Sequence, residues 1–328
     1  MKKNIFFINS VFMIIIMAIL NTSCFERNDM YDFAKNGVKV IYAINITSDK
    51  VYKVTEDGHY NKSYSVTSSS GYSGKRFYPL NDELVAVEMN GTTNLYFHTY
   101  EGNSWYVSTS QTLPDGLTGM LLMDNKIIYS TVYNLYSYNG DSWQTLTATI
   151  TTPPSILALA QHDGGIYILG TDYSVYKYTY SITAEPVITV GITVGTPFIC
   201  FEVADGNAYI GFGNYFYYNK LGSTSAYTVV SPSNVQSYAI YNSSAVYAAG
   251  YSTQIEIMKL ASGTFNTIKT ISVSTAPAIV MKALSETKLV LGISASTSHD
   301  GLYILDTRSG DLKTITTDPI ADINILNY

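Results

Sequence analysis

Few residues in this chain are of types that carry out chemistry, and their spacing decides how many could act together. There are four histidines (His59, His98, His162 and His299), two cysteines (Cys24 and Cys200) and three arginines (Arg27, Arg76 and Arg308). A catalytic zinc takes three protein ligands that meet at one point, and a thiolate metal site needs more than one cysteine nearby. No G-x-S-x-G stretch marks a strained nucleophile turn. Tyrosine is the contrasting case, with 30 copies along 328 residues. A tyrosine offers flat apolar area and a hydroxyl, which suits recognition of sugars or peptides. Whether histidines or tyrosines can converge depends on the elements that carry them.

Those elements repeat. A short apolar run recurs as VIYAI from Val40, LVAVE from Leu84, IIYST from Ile127 and IYILG from Ile166, then AYIGF from Ala208, VYAAG from Val246 and LVLGI from Leu289. Successive copies lie 38 to 44 residues apart, the length of one four-stranded propeller unit. The third copy serves as template: strand A GMLLM, turn DN, strand B KIIYST, loop VYN, strand C LYSY, turn NGDS and strand D WQTLTATI. The A–B turns DN, HDGG and DGN are hairpin formers. Prolines 79, 114, 153, 154, 197, 232, 277 and 319 fall at the D–A connections, leaving Pro186 elsewhere. The first copy starts at strand B, and IADINILNY at the C-terminus reads as an unpartnered strand A. Pairing of those two ends would leave no open sheet edge. The expectation is an all-β, seven-bladed β-propeller over residues 38–328, closed by pairing of the C-terminal strand with the N-terminal blade. Tyr, Thr, Val and Ile in abundance agree with strands.

In such an architecture A–B and C–D turns share one end, and B–C and D–A loops share the other. His59 and His162 then lie at the first end, His299 at the second and His98 within a strand, so no three meet. Cys200 reads as a small buried hydrophobe in a strand A. Tyr133, Tyr173, Tyr215 and Tyr251 all fall in B–C loops of four successive units and form the candidate binding end. Tyr72, Lys75 and Arg76, in a long D–A loop, and His299 with Asp300, in a long B–C loop, join them there. The alternative for the tyrosines is packing between units, since a repeated position is first a structural one. Trp105 and Trp143, in YEGNSWYVS and YNGDSWQTL, occupy one C–D position of adjacent units and read as a packing seam.

GGIYILGTDYSVYKY (164–178) and LYSYNGDSWQTL (135–146) resemble kelch-type blades, and GLYILDTRSGDLKTI (301–315) is similar to blades of quinoprotein-type propellers. The copper site of galactose-oxidase propellers needs paired histidines and a Cys–Tyr link. Sialidase propellers need an arginine cluster beside a nucleophilic Tyr. Neither set has counterparts in this sequence. At the N-terminus, Lys2 and Lys3 precede a mostly apolar run from Ile5 to Leu20 and then LNTSC. This is a secretory signal pattern. With Cys24 at its exit it resembles a bacterial lipoprotein signal, although Asn21 stands where that pattern has Leu. The resemblance implies removal of residues 1–23, acylation of Cys24 and a tether over 24–37. The formal net charge of −6 argues against a nucleic-acid partner, which needs a basic patch. The expected function is a non-enzymatic, membrane-anchored envelope lipoprotein with a protein or glycan partner and no cofactor. The alternatives are an outer-membrane assembly scaffold and a polysaccharide-active lyase or glycosidase.

Overall fold

Tight two-residue turns organise the chain into hairpins. Asp124 and Asn125, Asp163 and Gly164, and Asp205 and Gly206 all have positive φ between 46° and 68°. That is the conformation a type I′ hairpin demands at both central residues. The computed structural model describes residues 39–45, 50–58, 61–65, 72–80, 83–90, 94–101, 104–146, 155–179, 181–182, 188–189, 198–223, 227–230, 234–294 and 298–327. Cys24, the signal-like segment, the tether and His59 lie outside them.

In chain order the strands are β1 (Lys39–Asn45), β2 (Lys50–Thr55) and β3 (Asn61–Ser65), then β4 (Tyr72–Leu80), β5 (Glu83–Asn90), β6 (Asn94–Glu101) and β7 (Ser104–Thr112). Next come β8 (Leu117–Met123), β9 (Lys126–Thr131), β10 (Leu135–Tyr138) and β11 (Trp143–Thr145). The fourth group is β12 (Ile156–His162), β13 (Gly165–Gly170), β14 (Ser174–Thr179), β15 (Ser181–Ile182) and β16 (Ile188–Thr189). The fifth is β17 (Phe198–Ala204), β18 (Asn207–Phe212), β19 (Tyr215–Lys220) and β20 (Tyr227–Val230). Then follow β21 (Val235–Asn242), β22 (Ala245–Tyr251), β23 (Ile255–Ala261) and β24 (Thr264–Ile271), and finally β25 (Ala278–Ser285), β26 (Lys288–Ser294), β27 (Gly301–Asp306), β28 (Leu312–Thr316) and β29 (Asp322–Asn327). Each group forms one antiparallel sheet, and β29 joins the first as β29-β1-β2-β3, from Lys39 opposite Asn327 to Ile44 opposite Asp322. The described residues contain no helix.

Burial falls from the second strand of a sheet to the fourth. β13 is buried along its whole length and β9 along all but its first residue, whereas β11 is exposed throughout. A strand covered on both faces reads as a continuous apolar run, which is why the repeating runs mark the second strands. β12, covered unequally, alternates in burial. Cores form between successive sheets. Phe201, Val203 and Ile210 of the fifth pack with Tyr167, Leu169 and Val175 of the fourth, and Met281, Leu289 and Leu291 of the seventh pack with Tyr247, Ala249 and Ile257 of the sixth. One glycine shows how close the fit is. A Cβ at Gly211 would stand 2.4 Å from Cδ2 of Tyr238, whose hydroxyl donates to the Phe212 carbonyl at 2.8 Å. The inner strands adjoin in succession: β8 lies beside β12, β12 beside β17, β17 beside β21, β21 beside β25, β25 beside β29, and β29 beside β4, which reaches β9.

Two expectations from the sequence are corrected here. Tyr72, Lys75 and Arg76 are on a strand, not in a loop, because β4 extends over Tyr72–Leu80 and pairs along β5. Gly74 falls where the register slips between Ser73 and Lys75, the kind of irregularity a strand glycine marks. Pro79 is likewise within β4 and opposite Leu84, tolerated because β4 is the edge of its sheet. The fourth unit also lacks a single outer strand. β15 and β16 each pair with a different part of β14, Ile182 opposite Tyr178 and Ile188 opposite Val175.

Candidate functional site

The B–C end carries the tyrosines, and the structure divides them. Tyr133 stands in the short loop between β9 and β10, closed by the Thr131 amide donating to the Asn134 carbonyl at 2.9 Å, and is 42% exposed. Tyr215 opens β19 and is 38% exposed, its ring 6.3 Å from that of Tyr217. Tyr173, in contrast, is a packing residue. Its φ of 59° turns the ring inward, 5.6 Å from Phe212 of the next sheet and edge-on. Tyr251 closes β22 and packs against the core between the sixth and seventh sheets. Tyr215 and Tyr251 are therefore strand-end residues, where loops were expected, because pairing with Val230 and Ile255 reaches them.

His299 and Asp300 lie at this same end, between β26 and β27. The Tyr303 hydroxyl donates to the carbonyls of His299 and Asp300 at 3.1 and 3.3 Å, and burial raises the Tyr303 pKa with help from the Asp300 charge. The His299 ring meets Ser298 Oγ at 3.0 Å. Both side chains are half-buried. Tyr72, Lys75 and Arg76 join β4 to this end by backbone position alone.

At the opposite end, polar side chains tie the A–B turns of neighbouring sheets together. The Gly206 amide donates to His162 Nε2 at 3.2 Å, the Ser243 amide to Asp205 at 2.9 Å and Asn242 Nδ2 to Glu286 at 2.7 Å. Lys39 Nζ continues the series by donating to the Leu284 carbonyl while lying 4.5 Å from the Tyr241 ring centroid. Inner strands are stitched as well. Gln236 accepts from the Ile279 amide at 3.0 Å, and Ser237 Oγ accepts from the Met281 amide at 2.9 Å. Lys282 and Glu202 pair at 3.6 Å from the two strands that flank β21. Nearby Cys200 is partly buried, and burial pushes its thiol pKa up to about 12. Among the described residues no group of three or more His, Cys, Asp or Glu could hold a metal ion.

Between the third and fourth sheets this end opens into a cleft of about 360 Å³ lined by residues that include Asp124, Lys126, Ile128, Ser137, Ile166 and Tyr178. Sequence reasoning missed it. Its members are turn and strand residues of two units, and only the hairpin signal at Asp124 and Asp163 pointed to the place. Trp143, at the same end, is 41% exposed and meets Tyr136 edge-on at 6.1 Å, so it is a half-open rim residue and not a closed seam.

No family model matches the chain, and no curated protein matches it. Solved structures do. Apo AztD from Citrobacter koseri aligns with a TM-score of 0.58 at 8% identity, over 88% of this chain and 98% of that one. Hsv2 from Kluyvelomyces marxianus aligns with a TM-score of 0.54 at 9% identity, over 86% and 97%. The computationally designed Ika8 protein gives 0.52 at 13% identity, over 84% and 86%. AztD and Hsv2 are propellers. At these identities the likeness establishes a β-propeller-like fold and nothing about activity.

Proposed function

We propose that residues 38–328 are a closed seven-bladed β-propeller serving as a non-enzymatic binding module, carried on an envelope lipoprotein acylated at Cys24. The ring is supported by the β29–β1 pairing and by the succession of inner strands from β4 through β29 and back. Its blade sequences keep their resemblance to kelch-like and quinoprotein-like propellers. The observation that carries the binding function is the exposure of Tyr133 and Tyr215, 42% and 38%, together at one end of the fold, whereas Tyr241 stands out alone among the described tyrosines of the other. Such rings present apolar area with little rotamer freedom to lose, which suits a protein or glycan partner. β1 starts at the A–B end, where Lys39 pairs with Asn327. A tether from Cys24 would therefore join that end and leave the tyrosine end facing away from the bilayer.

A Tyr133→Ala/Tyr215→Ala double variant, compared with the unaltered lipoprotein on glycan and envelope-protein arrays, is expected to lose at least about tenfold in affinity, as hot-spot aromatics do. Undiminished binding would move the partner elsewhere. Fatty-acid labelling that persists after Cys24→Ala would refute the anchor.

A further inference from the structure

The cleft between the third and fourth sheets lies at the end opposite Tyr133 and Tyr215, so its occupant is separate from the partner proposed above. At about 360 Å³ it falls within the range of small-molecule sites, roughly 300–1,000 Å³. Its depth is apolar: Ile128 and Ile166 are buried, and Met123 and Leu146 pack beside them. Three polar groups of different kinds complete it. The Asp124 carboxylate, at a turn tip, can only accept hydrogen bonds. The Lys126 ammonium, two residues on, can only donate them, and the Ser137 hydroxyl can do both.

Ser137 is the telling residue. It is 4% exposed, and it stands opposite Ile128 in the β9–β10 pair, so both side chains point to the same face and into the cleft. Its hydroxyl borders the cleft, where it can both donate to and accept from an occupant. The Lys177 ammonium is drawn toward a neighbouring ring, 5.7 Å from the Tyr167 centroid, and Asp163 adds a second carboxylate at the mouth. Gly164 and Gly165 place no side chain at the mouth.

We propose that this cleft binds a small zwitterion, an α-amino acid with an apolar side chain. Its ammonium sits on Asp124, its carboxylate lies between Lys126 and Ser137, and its side chain rests on Met123, Ile128, Leu146 and Ile166. Fixed charges of opposite sign beside an apolar floor match that chemistry, whereas a neutral sugar has no use for them.

Titration calorimetry on the full chain tests this with L-leucine, L-methionine and L-phenylalanine. The comparison ligands are L-leucinamide, which lacks the carboxylate, 4-methylpentanoate, which lacks the ammonium, and cellobiose. Saturable binding of at least one amino acid is expected, with both truncated analogues about ten- to a hundredfold weaker, as loss of a charge-assisted hydrogen bond implies. Asp124→Asn and Lys126→Met, at exposed turn positions, should each lose at least about tenfold with the thermal midpoint unmoved. Ser137→Ala should lose severalfold, and if it fails to fold the two exposed variants still decide. The Tyr133→Ala/Tyr215→Ala variant should bind amino acids as the unaltered chain does. The proposal is overturned if no amino acid saturates, if leucinamide binds as tightly as leucine, if cellobiose binds in their place, or if Asp124→Asn and Lys126→Met leave affinity unchanged.

Discussion

From the fourth sheet to the seventh, each A–B turn lends a polar side chain to the next, so that His162 reaches Gly206, Asp205 reaches Ser243 and Asn242 reaches Glu286. Among the described residues the B–C end is tied by other bonds, Tyr238 to Phe212 and Gln236 to Pro277 and Ile279, and its tyrosines either wedge between sheets, as Tyr173 does against Phe212, or stand out into solvent, as Tyr133 and Tyr215 do. The two ends thus solve different problems. One joins neighbouring hairpins through directed bonds, which hold the turns in register. The other adds ring packing and leaves some rings over. Residues left over by packing can change without unfolding the chain, and recognition surfaces can be built from such residues.

Breaking the wedge should have the largest effect. Tyr173→Ala removes a ring packed between two sheets and is expected to cost about 2 kcal/mol, read as a fall in denaturation midpoint. His162→Ala leaves the Gly206 amide without its acceptor and should cost roughly 1–2 kcal/mol. If it costs nothing, the turn series is ornamental and the two ends do not differ. Tyr215→Ala is expected to stay within about 0.5 kcal/mol of the parent, and a larger loss would make Tyr215 a wedge like Tyr173.

Interior tyrosines add a pH signature. Burial, with the neighbouring Asp172 or Asp205 charge adding to it, pushes Tyr176 and Tyr209 up to about 12. A folded pKa above the unfolded one means stability that is intact below about pH 10 and is lost as pH rises through about 12. Phenolate absorbance should lag behind that of the denatured chain. The smallest effect belongs to Asp306, whose carboxylate accepts from the amides of Arg308 and Ser309 at 2.9 and 3.2 Å. Those two hydrogen bonds hold its pKa below the ordinary carboxylate value. Its contribution is present above the unfolded pKa, about 3.9, and lost as pH falls through the lower folded one. The amide resonances of Arg308 and Ser309 should report it.

What the residues made legible were features that repeat locally. Continuous apolar runs mark β9, β13 and β22 because both faces of those strands are covered, and Asp-Asn or Asp-Gly marks turns because few residues accept two positive φ values. β4 was misread as loop because Ser, Gly and Lys give no apolar alternation, although β5 supplies it with a pairing partner. The outer strand of the fourth sheet was misread because two separate segments share the edge of β14. The site was less legible than the fold. Tyr173 and Tyr215 have the same residue type at the same repeat position, and only φ and the neighbouring sheet distinguish a wedge from a protruding ring. The cleft was invisible for a related reason, since Ser137 and Asp124 converge with Ile166 only when two units stand side by side.

The pairing of β29 with β1 also sets how the molecule bears load. Lys39 and Asn327 are opposite each other at one end of that ladder, and Ile44 and Asp322 are at the other. A pull applied through Lys39 and Asn327 therefore meets the ladder at its tip, and antiparallel hydrogen bonds lying across the strands open one rung after another. Tension along that line unzips the pair at low force. A pull through Ile44 and Asn327 would have to shear all the rungs together.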